Sequence, residues 1–177
     1  MIHTILLVLF TLTATITQAT DSPYDLTELR SSYLKASKDE KTSKEFYKLM
    51  SAYNKQHPVV LAYKGAAEAT MGKHVWNPYS KLKHVKSALD QIGKAVVLDK
   101  KNPEIRFIRF TVEHYVPRYL NLSEHVAEDK KIVINALKQY PESGLPKELA
   151  QTMLKFLLSK DHLTANEKAE LQNITIN

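Results

Sequence analysis

The sequence predicts an all-α protein, built as a stack of antiparallel helix hairpins with about eight helices. Apolar residues recur at spacings of three and four through most of the chain, as they do on one face of a helix. The 177 residues include only four glycines and seven prolines, and no apolar–polar alternation is long enough to predict a strand. Short polar turns separate the periodic stretches, which favours sequential helices that pack as hairpins.

The first 19 residues have the pattern of a signal peptide. Residues 5–16 form an apolar run of h-region length, and Thr17-Gln18-Ala19 places small residues ahead of a cleavage site. We therefore expect cleavage after Ala19, export to the periplasm or the exterior of a bacterial cell, and a single α-helical domain over residues 20–177. The alternative is an uncleaved N-terminal anchor that holds the protein at a membrane surface. The run is short for a spanning helix, and no other run is long enough to span a membrane.

The first three predicted helices lie before residue 72. Asp21-Ser22-Pro23 is a helix-start signal, and a second helix is expected to end near Gln56. His57-Pro58 begins the third helix, in which Gly65 predicts the close approach of a neighbouring helix. Residues 72–79 then predict a long connection that carries the only tryptophan of the chain, Trp76.

The central stretch, residues 88–110, shows the strongest pattern. The fourth helix has its apolar seam at positions three and four apart, and it ends before Pro103, which suits the first turn of a new helix. The fifth helix, predicted over Glu104–Tyr115, is apolar on more than one side, so we place it in the middle of the fold. The seam of the fourth helix comprises Leu82, Val85, Leu89, Ile92 and Val96.

Three more helices are predicted towards the C-terminus. Residues 118–122 are expected to be a connector, and Ser123 is the predicted cap of the sixth helix. A seventh helix is expected to start at Pro146. Thr164 and Glu167 have the spacing of a capping box, which predicts a short eighth helix.

Part of the central stretch, residues 88–110, resembles a tetratricopeptide repeat (TPR). The positions that match the second helix and exit turn of such a repeat are Ala88, Ile92, Ala95, Leu98, Asp99 and Asn102. Lys100 stands where the usual proline follows the aspartate, and the unit from Pro58 to Asn102 is longer than the ~34 residues of a standard repeat. The resemblance implies a TPR-like stack of helix hairpins.

A second resemblance covers more of the chain. A family of exported proteins from Bacteroidota is similar to it in three segments, AYKGAAEATMGKHVWNPYSKL, KAVVLDKKNPEIRFIRFTVE and EDKKIVINAL. This resemblance implies a helical, TPR-like fold and a location in the bacterial envelope. It implies no particular activity and carries no catalytic residues across.

Charge and cysteine content narrow the possible partners. The formal net charge is +6, and no Lys, Arg, Asp or Glu lies in the first 19 residues. An exported basic protein rarely meets nucleic acid, so a protein or an anionic envelope component is the expected partner. The chain has no cysteine, which excludes disulfides, thiolate metal sites and a cysteine nucleophile. The basic charge alone also suits a protein that merely needs to stay soluble.

The connection after the third helix is the first candidate binding site. Aromatic side chains are interleaved there with cations, an arrangement that is typical of recognition patches for protein or anionic partners. The candidate residues are His74, Trp76, Tyr79, Lys81, Lys83 and Lys86. The alternative is that Trp76 and Pro78 fill a gap in the fold while the lysines are only solvated.

A second candidate is a polar pair or pocket formed by Glu68, Arg106 and Arg109. In a stack of hairpins the third and fifth helices are neighbours, so Glu68 is expected to face one of the two arginines. The arginines could grip an acidic ligand, because guanidinium groups bind carboxylates in a bidentate manner. The structural alternative is an ion pair that fixes the register of the helices.

Catalytic and metal-binding motifs are not found in the sequence. The histidines are scattered without the spacing of a metal motif, and neither a nucleophile elbow nor a glycine-rich phosphate loop occurs. We expect no cofactor and no metal. The leading hypothesis is a non-catalytic exported binding or scaffold protein. Its rivals are an envelope enzyme or small-ligand-binding protein with the Glu68 pocket, and the membrane-anchored protein described above.

Overall fold

The computed structural model describes residues 23–159 and 161–177, and the regular elements within these ranges are all helices. This confirms the predicted all-α fold class. The predicted signal peptide and its cleavage after Ala19 lie outside the described residues. The described elements are α1 (Leu26–Ala36), α2 (Glu40–Ser51), α3 (Pro58–His74), α4 (Pro78–Leu98), α5 (Pro103–His114), a 3₁₀ helix (Arg118–Leu120), α6 (Val126–Lys138), α7 (Lys147–Leu158) and α8 (Ala165–Gln172).

Successive helices pack side by side as antiparallel hairpins. The contact between α3 and α4 is the most extensive, and α5 packs on α3, α4 and α6. Two clusters of buried apolar side chains result, one among α1 to α5 and one among α5 to α8. Helix α5 joins them, because Ile105 and Ile108 belong to the first cluster while Phe107 and Phe110 belong to the second.

The central position predicted for the fifth helix is confirmed. Every residue of α5 from Glu104 to Glu113 is buried. The local sequence fixes its start, since the Asn102 side chain accepts hydrogen bonds from the N–H groups of Glu104 and Ile105, and Pro103 occupies the first turn.

The close approach predicted at Gly65 is also confirmed. A Cβ atom added to Gly65 would lie 2.6 Å from Ile92 Cγ1 and 2.7 Å from the carbonyl oxygen of Ala88. Only glycine therefore lets α3 lie this close to α4.

Two predicted helix starts are wrong. Helix α1 begins at Leu26 rather than at residues 21–23, because the Asp25 carboxylate caps it by accepting from the N–H of Thr27 at 2.8 Å. Helix α6 begins at Val126, and Ser123 does not cap it. The predicted capping box is confirmed, with Thr164 and Glu167 each bonded to the other's backbone N–H.

The long connection predicted over residues 72–79 is mostly helical. Helix α3 continues to His74, helix α4 begins at Pro78, and only residues 75–77 link them. The extra residues lengthen the hairpin instead of forming a loop. At 1.5 Å per residue, the 21 residues of α4 extend roughly 13 Å further than the 12 residues of α5.

Candidate functional site

The far end of the α3–α4 hairpin, residues 73–83, is called the hairpin tip below. Polar contacts just behind it join its two helices. The Glu68 carboxylate lies 2.7 Å from His84 Nδ1 and accepts a hydrogen bond from Ser87 Oγ at 3.0 Å. A Cβ added to Gly72 would come within 3.1 Å of the His84 Cβ. The two helices are thus held together up to the last turn before the tip.

The tip presents two exposed aromatic side chains. Trp76 is 98% exposed and Tyr79 is 78% exposed. Between them, the Asn77 side chain accepts hydrogen bonds from the N–H groups of Tyr79 and Ser80 and so starts α4. The alternative in which Trp76 fills a gap is therefore wrong, since the described residues cover almost none of its surface. Tryptophan is costly to expose, and a fully exposed one is the kind of residue that binding surfaces use.

The surroundings of these aromatic rings are basic. Residues 69–89 contain no Asp or Glu, and their lysines are all exposed, namely Lys73, Lys81, Lys83 and Lys86. His74 is only partly exposed and faces the start of α2. Hydrogen bonds from Thr42 lower the pKa of Asp39, and the nearby His74 lowers it further. The carboxylates nearest the tip are already engaged, because Asp39 caps α2 and Glu40 pairs with Lys44 at 2.6 Å.

The connection after α5 adds further exposed aromatic surface at the same end of the stack. Successive helices run in opposite directions, so the end of α5 lies towards the end where α3 turns into α4. Tyr119, in the 3₁₀ helix, is 83% exposed, and its neighbour Arg118 is exposed as well. Sequence reasoning treated this segment as a plain connector. An aromatic residue beside an arginine in a polar stretch was the signal that could have singled it out.

The predicted pairing of Glu68 with Arg106 or Arg109 is wrong. Glu68 is engaged with His84 and Ser87, whereas both arginines turn to α6. Arg109 donates to the Asp129 carboxylate from Nε at 2.6 Å and from Nη2 at 2.8 Å, and Arg106 Nη1 donates to it at 2.9 Å.

This arginine cluster serves the structure. Asp129 is completely buried and pairs with two guanidinium groups that are themselves more than nine-tenths buried, and the exposed Glu128 supplies the second negative charge. Burial by itself would lower the pKa of Arg109, but the bond to Asp129 outweighs it and raises that pKa. The cluster matches the structural alternative of an ion pair that fixes helix register, although the acidic partner is on α6 rather than on α3.

A second polar cluster, which the sequence did not predict, lies at the end of the stack opposite the hairpin tip. Arg30 donates two hydrogen bonds of 2.8 Å to Glu104, and the Tyr63 hydroxyl donates a third, also at 2.8 Å. Burial first, and then the adjacent Glu104 carboxylate, raises the pKa of Tyr63. Arg30 and Glu104 line a groove of about 390 Å³ together with His57, Asn102 and Ser143.

No helix within residues 23–159 and 161–177 is long and apolar enough to cross a membrane. Within the same ranges, no three His, Cys, Asp or Glu side chains come together as metal ligands would.

Comparisons of this chain with models of protein families, with curated proteins and with solved structures found no match.

Proposed function

We propose that this protein is a non-catalytic binding or scaffold protein of the bacterial envelope, and that its hairpin tip recognises a protein or an anionic envelope component. The proposal includes export by the N-terminal segment, with cleavage after Ala19. The observation that carries it is the 98% exposure of Trp76 in a stretch of 21 residues without a carboxylate.

The geometry of the tip suits recognition better than catalysis. Its aromatic rings and lysines are exposed, and none of the tip residues lines the groove near Arg30. Catalysis needs groups that converge on a water-excluded site. Recognition needs exposed aromatic area and charges on a support that does not rearrange, and the Glu68 contacts to His84 and Ser87 supply that support.

Site-specific photocrosslinking in living cells tests this function. A benzophenone amino acid at position 76 abstracts hydrogen from C–H bonds of proteins, lipids and glycans alike, so its capture does not depend on the class of partner. The control position is Val97, which is 72% exposed near the other end of α4. We expect adducts from position 76 that are absent from position 97 and that Lys81→Glu reduces. Identical adducts from both positions, or none from position 76 in the folded protein, would contradict the proposal.

A further inference from the structure

We infer that the hairpin tip docks on the surface of an anionic lipid bilayer, with Trp76 and Tyr79 in the headgroup region and the lysines on lipid phosphates. This inference rests on the proposed function and specifies the partner of the same site. It rests on the exposed aromatic pair, the charges around it and the reach of the tip past α5.

The two aromatic residues are of the kinds that prefer the membrane–water interface. Tryptophan and tyrosine combine an apolar ring with a polar N–H or O–H, and both are enriched at the level of lipid headgroups. Trp76 lies in the three-residue link between α3 and α4, Tyr79 lies in the first turn of α4, and both side chains are exposed. Their rings can therefore enter a headgroup layer without any rearrangement of the protein.

The cations around them favour lipid over a protein partner. Residues 69–89 carry four lysines, two histidines and no arginine. Protein–protein interfaces are enriched in arginine and depleted in lysine, because arginine makes planar bidentate contacts. Lysines beside an anionic membrane need no fixed geometry, since each gains from the surface potential wherever the phosphates lie.

The end of the stack that carries the tip also suits a bilayer. Helix α4 is roughly 13 Å longer than α5, so the tip reaches past α5, while the start of α2 lies beside the tip, with Asp39 close to His74. The carboxylates of Asp39 and Glu40 also lie at this end, and Glu40 is paired with Lys44 at 2.6 Å. The four lysines of residues 69–89 outnumber these two carboxylates, so the balance of charge still favours the approach to an anionic surface.

The test uses the fluorescence of Trp76, which is the only tryptophan in the sequence. The protein is purified in the form that the cells produce. It is mixed with anionic vesicles of phosphatidylglycerol and phosphatidylethanolamine, or with neutral phosphatidylcholine vesicles. We expect the Trp76 emission to move to shorter wavelength with the anionic vesicles only. Brominated lipids should quench it, and soluble glycerol phosphate should leave it unchanged. Raising the salt to about 1 M should reverse the shift, because the Debye length falls to about 3 Å.

Charge-matched variants locate the contact. Lys81→Glu is expected to lower partitioning into anionic vesicles roughly tenfold or more, at about 1 kcal/mol for each unit of charge near the surface. Lys100→Glu makes the same change of charge after the far end of α4, where Lys100 is exposed, and should leave partitioning nearly unchanged. Residues 1–22 are the same in all variants, so any membrane affinity of that segment cancels. Circular dichroism checks that each variant is folded.

Three results would overturn the inference. They are an unshifted Trp76 emission with anionic vesicles, an equal shift with neutral vesicles, and equal losses of vesicle partitioning in Lys81→Glu and Lys100→Glu. If the anionic vesicles leave the Trp76 emission unshifted while position 76 still crosslinks to a protein, the proposed binding function stands and its partner is a protein. If position 76 yields no adduct and the vesicles give no shift, the proposed function and the inference fall together.

Discussion

Arg109 holds Asp129 through two parallel hydrogen bonds, from Nε to Oδ2 at 2.6 Å and from Nη2 to Oδ1 at 2.8 Å. Asp129 is fully buried, and Arg106 donates to the same carboxylate. Replacing Asp129 with alanine would leave two buried guanidinium groups without their main counter-charge. We expect Asp129→Ala to lower the free energy of unfolding by about 3–5 kcal/mol, as measured by urea denaturation.

Glu128 provides the matched control for this prediction. It contacts the same two arginines, but its side chain is 55% exposed. Glu128→Ala should cost less than about 1 kcal/mol, because exposed ion pairs contribute little. Equal losses in the two variants would contradict a structural role centred on Asp129.

Substitution by alanine is expected to have opposite effects on stability at two helical glycines. A Cβ at Gly65 would lie 2.6 Å from Ile92 Cγ1 and 2.7 Å from a backbone oxygen, whereas a Cβ at Gly93 would meet nothing within 4 Å. Gly65→Ala should destabilise the protein by about 1–3 kcal/mol through overpacking. Gly93→Ala should stabilise it by roughly 0.5–1 kcal/mol, because alanine has the higher helix propensity. Thermal melts of the two variants test this, and a Gly65→Ala variant as stable as the wild type would contradict the close α3–α4 contact.

Glu167 is expected to make the C-terminal helix sensitive to acid. Burial by itself would raise its pKa, but hydrogen bonds from Lys130 and from Thr164 outweigh burial and lower the pKa below the ordinary value of 4.5. A carboxylate with a lowered pKa in the folded state adds stability above that ordinary value, and the contribution is lost as the pH falls through the folded-state pKa.

Glu167→Gln should therefore destabilise the protein by about 1 kcal/mol at neutral pH, through loss of the Lys130 pair and weakening of the capping box. The difference between wild type and variant should shrink as the pH is lowered below 4.5. Urea titrations at several pH values measure it. A difference that grows in acid would have the wrong sign for a lowered pKa.

Removal of the exposed tryptophan should hardly affect folding. Trp76 is 98% exposed and covers almost no apolar surface of the described residues. We expect Trp76→Ala to change the free energy of unfolding by less than about 0.5 kcal/mol. Phe110→Ala, at a fully buried aromatic position that packs on Phe156, should cost about 3–5 kcal/mol. A large loss in the Trp76 variant would mean that the ring is buried in solution.

The helices were predictable because their signals are local. Spacings of three and four marked the buried faces, and Pro103 and the pair Thr164 and Glu167 marked helix starts that the structure confirms. The starts of α1 and α6 were missed for the same reason, since several polar residues near each start compete for the cap. In α6 the competition is settled from another helix, because Glu113 accepts from the His125 N–H at 2.7 Å.

The polar pairings were not predictable, because they depend on which helix faces each side chain. Adjacency of α3 and α5 was expected correctly, but Glu68 faces α4 while Arg106 and Arg109 face α6. A sequence gives the order of helices without their rotation about their own axes. The exposure of Trp76 could not be predicted for a similar reason, since a tryptophan near a helix end can pack against the core or face solvent. In the structure, Trp76 lies in the three-residue link between α3 and α4, and its side chain is exposed.

The most direct test of the central claim, that the hairpin tip is the recognition surface, is a fluorine NMR measurement on protein labelled with 5-fluorotryptophan. One tryptophan in the chain gives one resonance, and that resonance belongs to the tip. Addition of unlabelled native envelope fraction should broaden or shift it, and Lys81→Glu should weaken that effect. A sharp resonance that stays in place in the presence of the envelope, from protein that is folded, would contradict the claim.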